Sequence, residues 1–463
     1  MKLFKAIAAL FLFTLLFSAC GDGDDPIIEI DPPRLVSSSP SNGSNTVFAG
    51  ENQSIVLVFD QNIILEKNHN ITLNGVLISD ANASFRELSI KTNLHTGEKY
   101  KLVVPANTLK GPTGVYAAAL EINFETYPAP EITESLVTSN PSPEAVKLYD
   151  FLKENYGKKI ISGTMANVSW NTNEAEWVYK HTGKYPALNC YDYGHLSWSP
   201  ANWIDYGKID PVKNWWNAGG IVVAGWHWNV PASETNTNLN SMTYKPEETT
   251  FRAKNALLEG TWENRIMKAD LEKIAAYLLL LKNENIPVLW RPLHEAAGNI
   301  YEYNNGKAWF WWGYDGGDVY KQLWVYMFDF FQAKGLNNLI WVWTTQTKDD
   351  AFYPGDEYVD IIGRDLYDEN ATKCISQYET ITQKYGHKLV ALSECGDVGN
   401  ISEQWNKGAH WSWFMPWYDH TRTNNPEDSE FQLESHEHAS ISWWKDAFSC
   451  NDVITRDQLP NFK

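Results

Sequence analysis

The sequence predicts an α/β protein, a (β/α)8 barrel preceded by a small all-β sandwich. Three observations carry this reading. The chain has 463 residues, more than one modest core needs, which leaves room for a large barrel beside a small domain. All 22 Trp lie at or beyond Trp170, so composition changes abruptly after roughly the first third of the chain. From about residue 140, near-continuous apolar strands alternate with amphipathic runs, the pattern of a parallel sheet covered by helices.

At the start, Lys2 and Lys5 precede the apolar run Ala6–Phe17 and then Ser18-Ala19-Cys20. A positive segment, a short apolar segment and small residues form a signal that is too short to span as a mature helix. Residues 1–19 resemble a bacterial lipoprotein signal, in which Cys20 becomes the lipid-bearing N-terminus. Phe17 departs from the small or aliphatic residue usual there, and an ordinary secretory signal is the alternative. Residues 20–33, with Gly21-Asp22-Gly23-Asp24-Asp25, read as a solvated tether and resemble the export tags of Bacteroides-type surface lipoproteins. The resemblance implies an outer-membrane protein anchored only through the lipid on Cys20 and exposed at the cell surface.

Residues 34–128 show short β-branched runs broken by turn signals: Ser54–Phe59, Asn70–Leu73 followed by Asn74-Gly75, and Tyr100–Pro105. Such spacing predicts a β-sandwich, and the stretch resembles a bacterial Ig-like module. It carries no chemical constellation and reads as a spacer. Sugar binding is the alternative, against which the absence of Trp counts. Pro128-Ala-Pro130 and Pro141-Ser-Pro143 make a stiff junction.

Residues 140–463 hold eight predicted strands: Lys159–Ser162, Ala187–Tyr191, Gly220–Trp226, Pro287–Pro292, Asn338–Trp343, Val359–Asp365, Lys388–Ser393 and His410–Met415. The clearest helical runs are Lys268–Asn283 and Val319–Ala333. A doubly wound open sheet is the alternative, but the Gly-rich phosphate loop of its dinucleotide-binding version is missing. A net charge of −19 repels phosphate backbones and excludes nucleic acid as a partner. The aromatic content of 14% fits flat faces stacking on sugar rings, or simply a large core. Cys190, Cys374, Cys395 and Cys450 show no zinc spacing; a disulfide is permitted outside the cytoplasm, but the four are read as including buried free thiols, and no pairing is assigned. His436-Glu437-His438 reads as a polar surface stretch without a metal. No cofactor and no metal are expected, and the protein is read as a monomer.

Active sites of such barrels lie at the C-terminal ends of the strands. The fourth strand runs out in Arg291-Pro-Leu-His294-Glu295 and the seventh in Ser393-Glu394-Cys395-Gly396. A carboxylate at a core edge is costly without a task, and two on nonadjacent strands suffice for retaining glycoside hydrolysis. Asp192, after strand two, is a candidate ligand for a sugar hydroxyl. No Ser or Cys nucleophile has a matching context, and Gly298 breaks a zinc-protease reading of His294-Glu295.

Arg291-Pro-Leu-His-Glu-Ala-Ala-Gly298 and Trp309-Phe-Trp-Trp-Gly313 resemble the signature of glycoside hydrolase family 26, over about residues 140–450. The resemblance implies a clan A barrel and an endo-β-1,4-mannanase, with β-mannan as partner, Glu295 as acid/base and Glu394 as nucleophile. It further implies that His294 and His227 contact substrate and that Trp309 and Trp417 stack on sugar. Tyr367 is implied to hydrogen-bond the nucleophile, and such a donor favours a charged carboxylate. Glu295 must instead stay protonated near neutral pH. Ala296-Ala297 and the insertion Asn299–Lys307 depart from the family pattern. Two rival readings remain: a same-fold hydrolase of β-1,3-xylan or mixed-linkage β-glucan, and a surface glycan-binding protein without catalysis.

Overall fold

The computed structural model describes residues 31–463 except 48, 129–130, 168–169, 202, 302–305 and 423–424. The signal segment, Cys20, most of the tether, and Ala129 and Pro130 of the proline junction lie outside the described residues. The chain divides into two compact units, one drawn from most of the residues up to Phe124 and one holding Glu125–Lys463.

The N-terminal region is β-rich. One sheet orders Leu35–Ser39, Gly50–Phe59, Glu87–Leu94 and Ala81–Ser84, and a five-stranded sheet includes Leu120–Thr126 and Lys99–Val104. Strands bury alternate residues, such as Leu88, Ile90 and Leu94, or Tyr100, Leu102 and Val104, because successive side chains point to opposite faces. Asn74 (φ 50°) and Gly75 (φ 80°) take the left-handed conformations that a two-residue hairpin turn requires. They join Thr72–Leu73 to Val76–Leu77.

The second region is a closed parallel barrel. Its strands are β1 (Ile160–Met165), β2 (Leu188–Asp192), β3 (Ile221–Trp226), β4 (Val288–Pro292), β5 (Leu339–Thr345), β6 (Ile361–Tyr367), β7 (Leu389–Gly396) and β8 (Trp413–Pro416). They pair in chain order, and β1 bonds both β8 and β2, so no edge remains. All eight predicted strands are present, most shifted by one to three residues. Buried strands have no exposed face to mark where they stop. Thr261 caps the helix Trp262–Asn283 by accepting from the Asn264 N–H, which starts it six residues before the predicted run.

The tryptophans explain themselves here. Twelve of them, including Trp226, Trp290, Trp312, Trp341 and Trp411, are fully buried. Most of the Trp richness is therefore barrel core rather than sugar platform. All four described cysteines are free thiols, and among the described residues no helix is long and apolar enough to cross a membrane.

Candidate active site

β4 ends at Pro292, and the chain then leaves the sheet through Leu293 and Glu295, both at φ 49°. Side-chain-bearing residues rarely hold that conformation unless their surroundings over-determine it. Here the freed carbonyls all find donors: Tyr320 Oη donates to Leu293 O (2.9 Å), Trp312 Nε1 to His294 O (2.9 Å) and the Gly298 N–H to Glu295 O (2.8 Å). The glycines of both motifs permit the close approach. A Cβ on Gly313 would stand 1.7 Å from Ala296 O, and one on Gly298 2.4 Å from the Trp309 ring.

Glu295 is set 9% exposed in this arm. Gln346 Nε2 donates to its Oε1 (3.0 Å), and Arg364 donates to the Gln346 side-chain oxygen (3.0 Å). Asp349 fixes the same turn by accepting from the Gln346 N–H (2.5 Å) and the Thr345 hydroxyl (2.9 Å). Burial, reinforced by the charges of Asp365 and Glu394, holds the Glu295 carboxyl well above the usual range. This is the direction a proton donor needs.

Glu394 has a donor on each oxygen. Tyr367 Oη donates to Oε1 (2.5 Å) and Arg291 to Oε2 (3.0 Å). Arg291 also donates to the Thr344 hydroxyl and to Asp365. Burial raises the Asp365 carboxyl to about 7 against the pull of Arg291. The register explains how Glu394 reaches this position. Arg364 pairs with Leu392, but Asp365 pairs with Glu394, so Ser393 is an extra residue that re-aims the strand end. Its hydroxyl donates to Asp365 (2.7 Å).

Asp192 differs from the expectation. Its Oδ2 lies 2.6 Å from His227 Nδ1 and its Oδ1 accepts the His227 N–H (3.0 Å). Both oxygens thus hold His227, and the carboxylate is buried, so it orients a neighbour instead of presenting itself to a hydroxyl. Burial disfavours the imidazolium of His227, but Asp192 outweighs it and raises the pKa. His294, buried 4.4 Å (ring to ring) from His227, is pushed well below the usual imidazole range by burial. Trp417, just past β8, packs against His227 (5.6 Å between rings), whereas Trp411, before β8, and Trp413, on it, are buried. Trp309 is 41% exposed and lines a 740 Å³ cleft with Glu295, His227, Tyr244 and Phe310. Among the lining residues, Asn299, Gly306 and Lys307 belong to the insertion before the Trp motif.

The structure thus brings Glu295, Glu394, His227, His294, Tyr367, Trp309, Trp417 and Asp192 to one end of the barrel, while Cys20 lies outside the described residues. Sequence reasoning missed Gln346, Arg364 and Asp349, and quoted Arg291 and Asp365 without assigning them a role. Gln346 directly follows β5, so the strand-end rule applied to that strand would have found it.

A carboxyl whose proton affinity burial raises, and a second carboxylate held by two donors, at the ends of β4 and β7 are the equipment for cleaving a glycosidic bond. The class is a glycoside hydrolase. The sequence profile of Glycosyl hydrolase family 26 matches residues 137–446, and the chain belongs to that family. It is 32% identical over 420 residues to mannan endo-1,4-beta-mannosidase B of Piromyces sp, covering 86% of this chain and 67% of that protein. The GH26 domain of an endo-beta-mannanase/endo-beta-glucanase from Prevotella bryantii is 43% identical, with a TM-score of 0.65, covering 71% of this chain and 99% of that one. A beta-mannanase from a symbiotic protist of the termite Reticulitermes speratus, solved with a gluco-manno-oligosaccharide, is 37% identical with a TM-score of 0.59. That match covers 72% of this chain and 99% of the protist chain.

Proposed function

We propose that this protein is an endo-β-1,4-mannanase that cleaves mannan, galactomannan or glucomannan with retention, by double displacement. One observation carries the mechanism: burial raises the Glu295 carboxyl well above its usual range at the end of β4, while Glu394 at the end of β7 takes donors from Tyr367 and Arg291. In the first step a Glu394 oxygen attacks the anomeric carbon as Glu295 gives its proton to the departing glycosidic oxygen. The product is a glycosyl ester on Glu394 and a Glu295 carboxylate. In the second step Glu295 takes a proton from water, which attacks the same carbon and releases Glu394.

His227 binds the sugar on the non-reducing side of the broken bond and His294 contacts the substrate, with Trp417 and Trp309 as stacking faces. A second hollow of 520 Å³ shares Glu247 and Lys307 with the first, which favours a chain lying along a groove. The mannan assignment rests on the named relatives. The signal at residues 1–20 supports a lipid-anchored surface protein, with residues 34–128 as an Ig-like spacer and the chain acting as a monomer.

The test is product analysis on linear mannan, galactomannan, glucomannan, β-1,3-xylan and mixed-linkage β-glucan, beside Glu295→Ala and Glu394→Ala. Manno-oligosaccharides from the wild type alone are expected, with the initial product of retained anomeric configuration by NMR. Products from another glycan only would refute the substrate, and glycan binding without hydrolysis would refute catalysis.

A further inference from the structure

We propose that His420, Glu437 and His438, on the chain that follows β8, form a binding site for one zinc ion that joins His420 to Glu437 and His438 beside Asp397, which follows β7. Among the described residues, these are the histidines, cysteines and carboxylates whose ligand atoms converge, all within 4.8 Å of one another. Two imidazoles and a carboxylate are a set that zinc accepts, leaving a fourth position for water. Ligands on one tetrahedral zinc stand roughly 3.4 Å apart, so the ion requires a small inward turn of side chains. His420 and Glu437 are exposed and free to make it.

The surroundings already point to such an ion. His438 Nε2 faces Glu437 Oε1 at 4.0 Å, while Nδ1 faces Asp397 Oδ2 at 3.6 Å. That Nδ1 is buried without a hydrogen-bond partner. A carboxylate behind the far nitrogen of a histidine is the outer shell typical of metal-bound imidazole: ligation at Nε2 places the proton on Nδ1 and gives it Asp397 as acceptor. On the other side His420 Nδ1 stands 3.2 Å from Glu437 Oε2. Two carboxylates, Glu437 and Asp397, thus face two imidazoles, and a divalent cation neutralises them.

The backbone is organised without the ion. The His420 N–H donates to Glu437 (3.2 Å), the Glu437 N–H to Asp419 (3.3 Å) and the His438 N–H to His436 Nδ1 (2.9 Å). His436 itself is not the surface residue expected from sequence: its side chain is 2% exposed and its Nε2 lies 2.9 Å from Glu174. The Asp397 N–H donates to His438 O (2.9 Å), which binds this segment to the strand carrying Glu394. The His438 ring also meets Tyr367 edge-on at 5.6 Å, and a Cβ on Gly396 would sit 2.6 Å from both rings. The ion takes no part in bond cleavage. The proposal rests on this geometry and stands whether or not Glu295 and Glu394 act as assigned.

Untagged protein stripped with EDTA, then titrated with zinc sulfate by calorimetry and thermal unfolding, provides the test. One equivalent with a Kd of about micromolar or tighter, and a raised Tm, are expected; magnesium and calcium, which prefer all-oxygen sites, leave both readouts unchanged. His420→Ala and Glu437→Gln each weaken zinc binding about 100-fold and abolish the Tm shift, with the metal-free Tm and circular dichroism spectrum unchanged. No heat and no Tm shift at about 100 µM zinc, or the same Kd in both variants, overturns the site.

Discussion

Gln346→Ala removes a single hydrogen bond whose loss has a signed consequence. Gln346 Nε2 donates to Glu295 Oε1, with Arg364 behind it polarising the amide. A hydrogen bond to a charged group contributes about 1.5–3 kcal/mol and one to a neutral group about 0.5–1.5. The bond therefore favours the Glu295 carboxylate over the acid by about 1 kcal/mol, or roughly 0.7 pH unit. Its removal lets burial, which already raises this carboxyl, push it further. In the pH dependence of kcat/KM the alkaline limb reports the proton donor of the free enzyme. That limb moves up by roughly 0.7 unit, while kcat/KM at the optimum falls about tenfold as the carboxyl loses its orientation. The assay is initial rates on a soluble manno-oligosaccharide from pH 4 to 10. An alkaline limb that stays put or moves down refutes the role given to Gln346.

Tyr367→Phe takes away the 2.5 Å donor to Glu394. It lowers kcat/KM by about 10–100-fold without changing Tm, read by steady-state kinetics and calorimetry. Gly313→Ala drives a methyl toward Ala296 O, 1.7 Å away. The turn behind Glu295 must shift, costing about 1–3 kcal/mol, seen as a lower urea midpoint together with lost activity. Asp192→Asn breaks the pair with His227. The Asp192 pKa is lowered, so its contribution is complete above its ordinary value and is lost as pH falls through the lowered one. The His227 pKa is raised, so its contribution is complete below the ordinary value and is lost as pH rises through the raised one. The pair therefore stabilises most between about pH 4 and 6.5. The Tm deficit of the variant is largest there and shrinks toward pH 9, as a calorimetric pH series measures.

The barrel was legible because buried parallel strands read as apolar runs, and each run ended near the predicted residue. Glu295 and Glu394 were legible as carboxylates that interrupt such runs. What surrounds them was not. The extra residue at Ser393 leaves no mark in a strand whose every position is buried, because no alternation exists to break. Gln346, just past β5, and Arg364, on β6, are 18 residues apart in sequence and meet only once those two strands pair. Asp192 had the right place and a different partner, since a lone carboxylate after a strand does not say which neighbour will meet it. Trp312 of the second motif received no role from the sequence, because an indole offers a face and an N–H alike. The structure uses its N–H on a backbone carbonyl and buries the face.

The cost of burying so many charges bears on the proposed reaction. Arg291, Arg364, Asp365, Glu394 and Glu295 share one buried cluster, where any net charge is expensive. Before reaction Glu295 is neutral and Glu394 anionic. After the first displacement Glu394 is a neutral ester and Glu295 is the anion. The charge has moved between β7 and β4, but its total is unchanged, whatever proton Asp365 carries. Both arginines are already in place at the two positions, Arg291 on Glu394 and Arg364 behind Gln346 on Glu295. No solvent needs to enter to stabilise the intermediate, because each carboxylate meets its donors in the state in which it is charged. The positive-φ arm, the three donors to its carbonyls and the close glycines then serve one requirement: Glu295 must hold the same position as an acid and as a base, so that the proton it gives to the glycosidic oxygen is replaced by one from a water at the same spot.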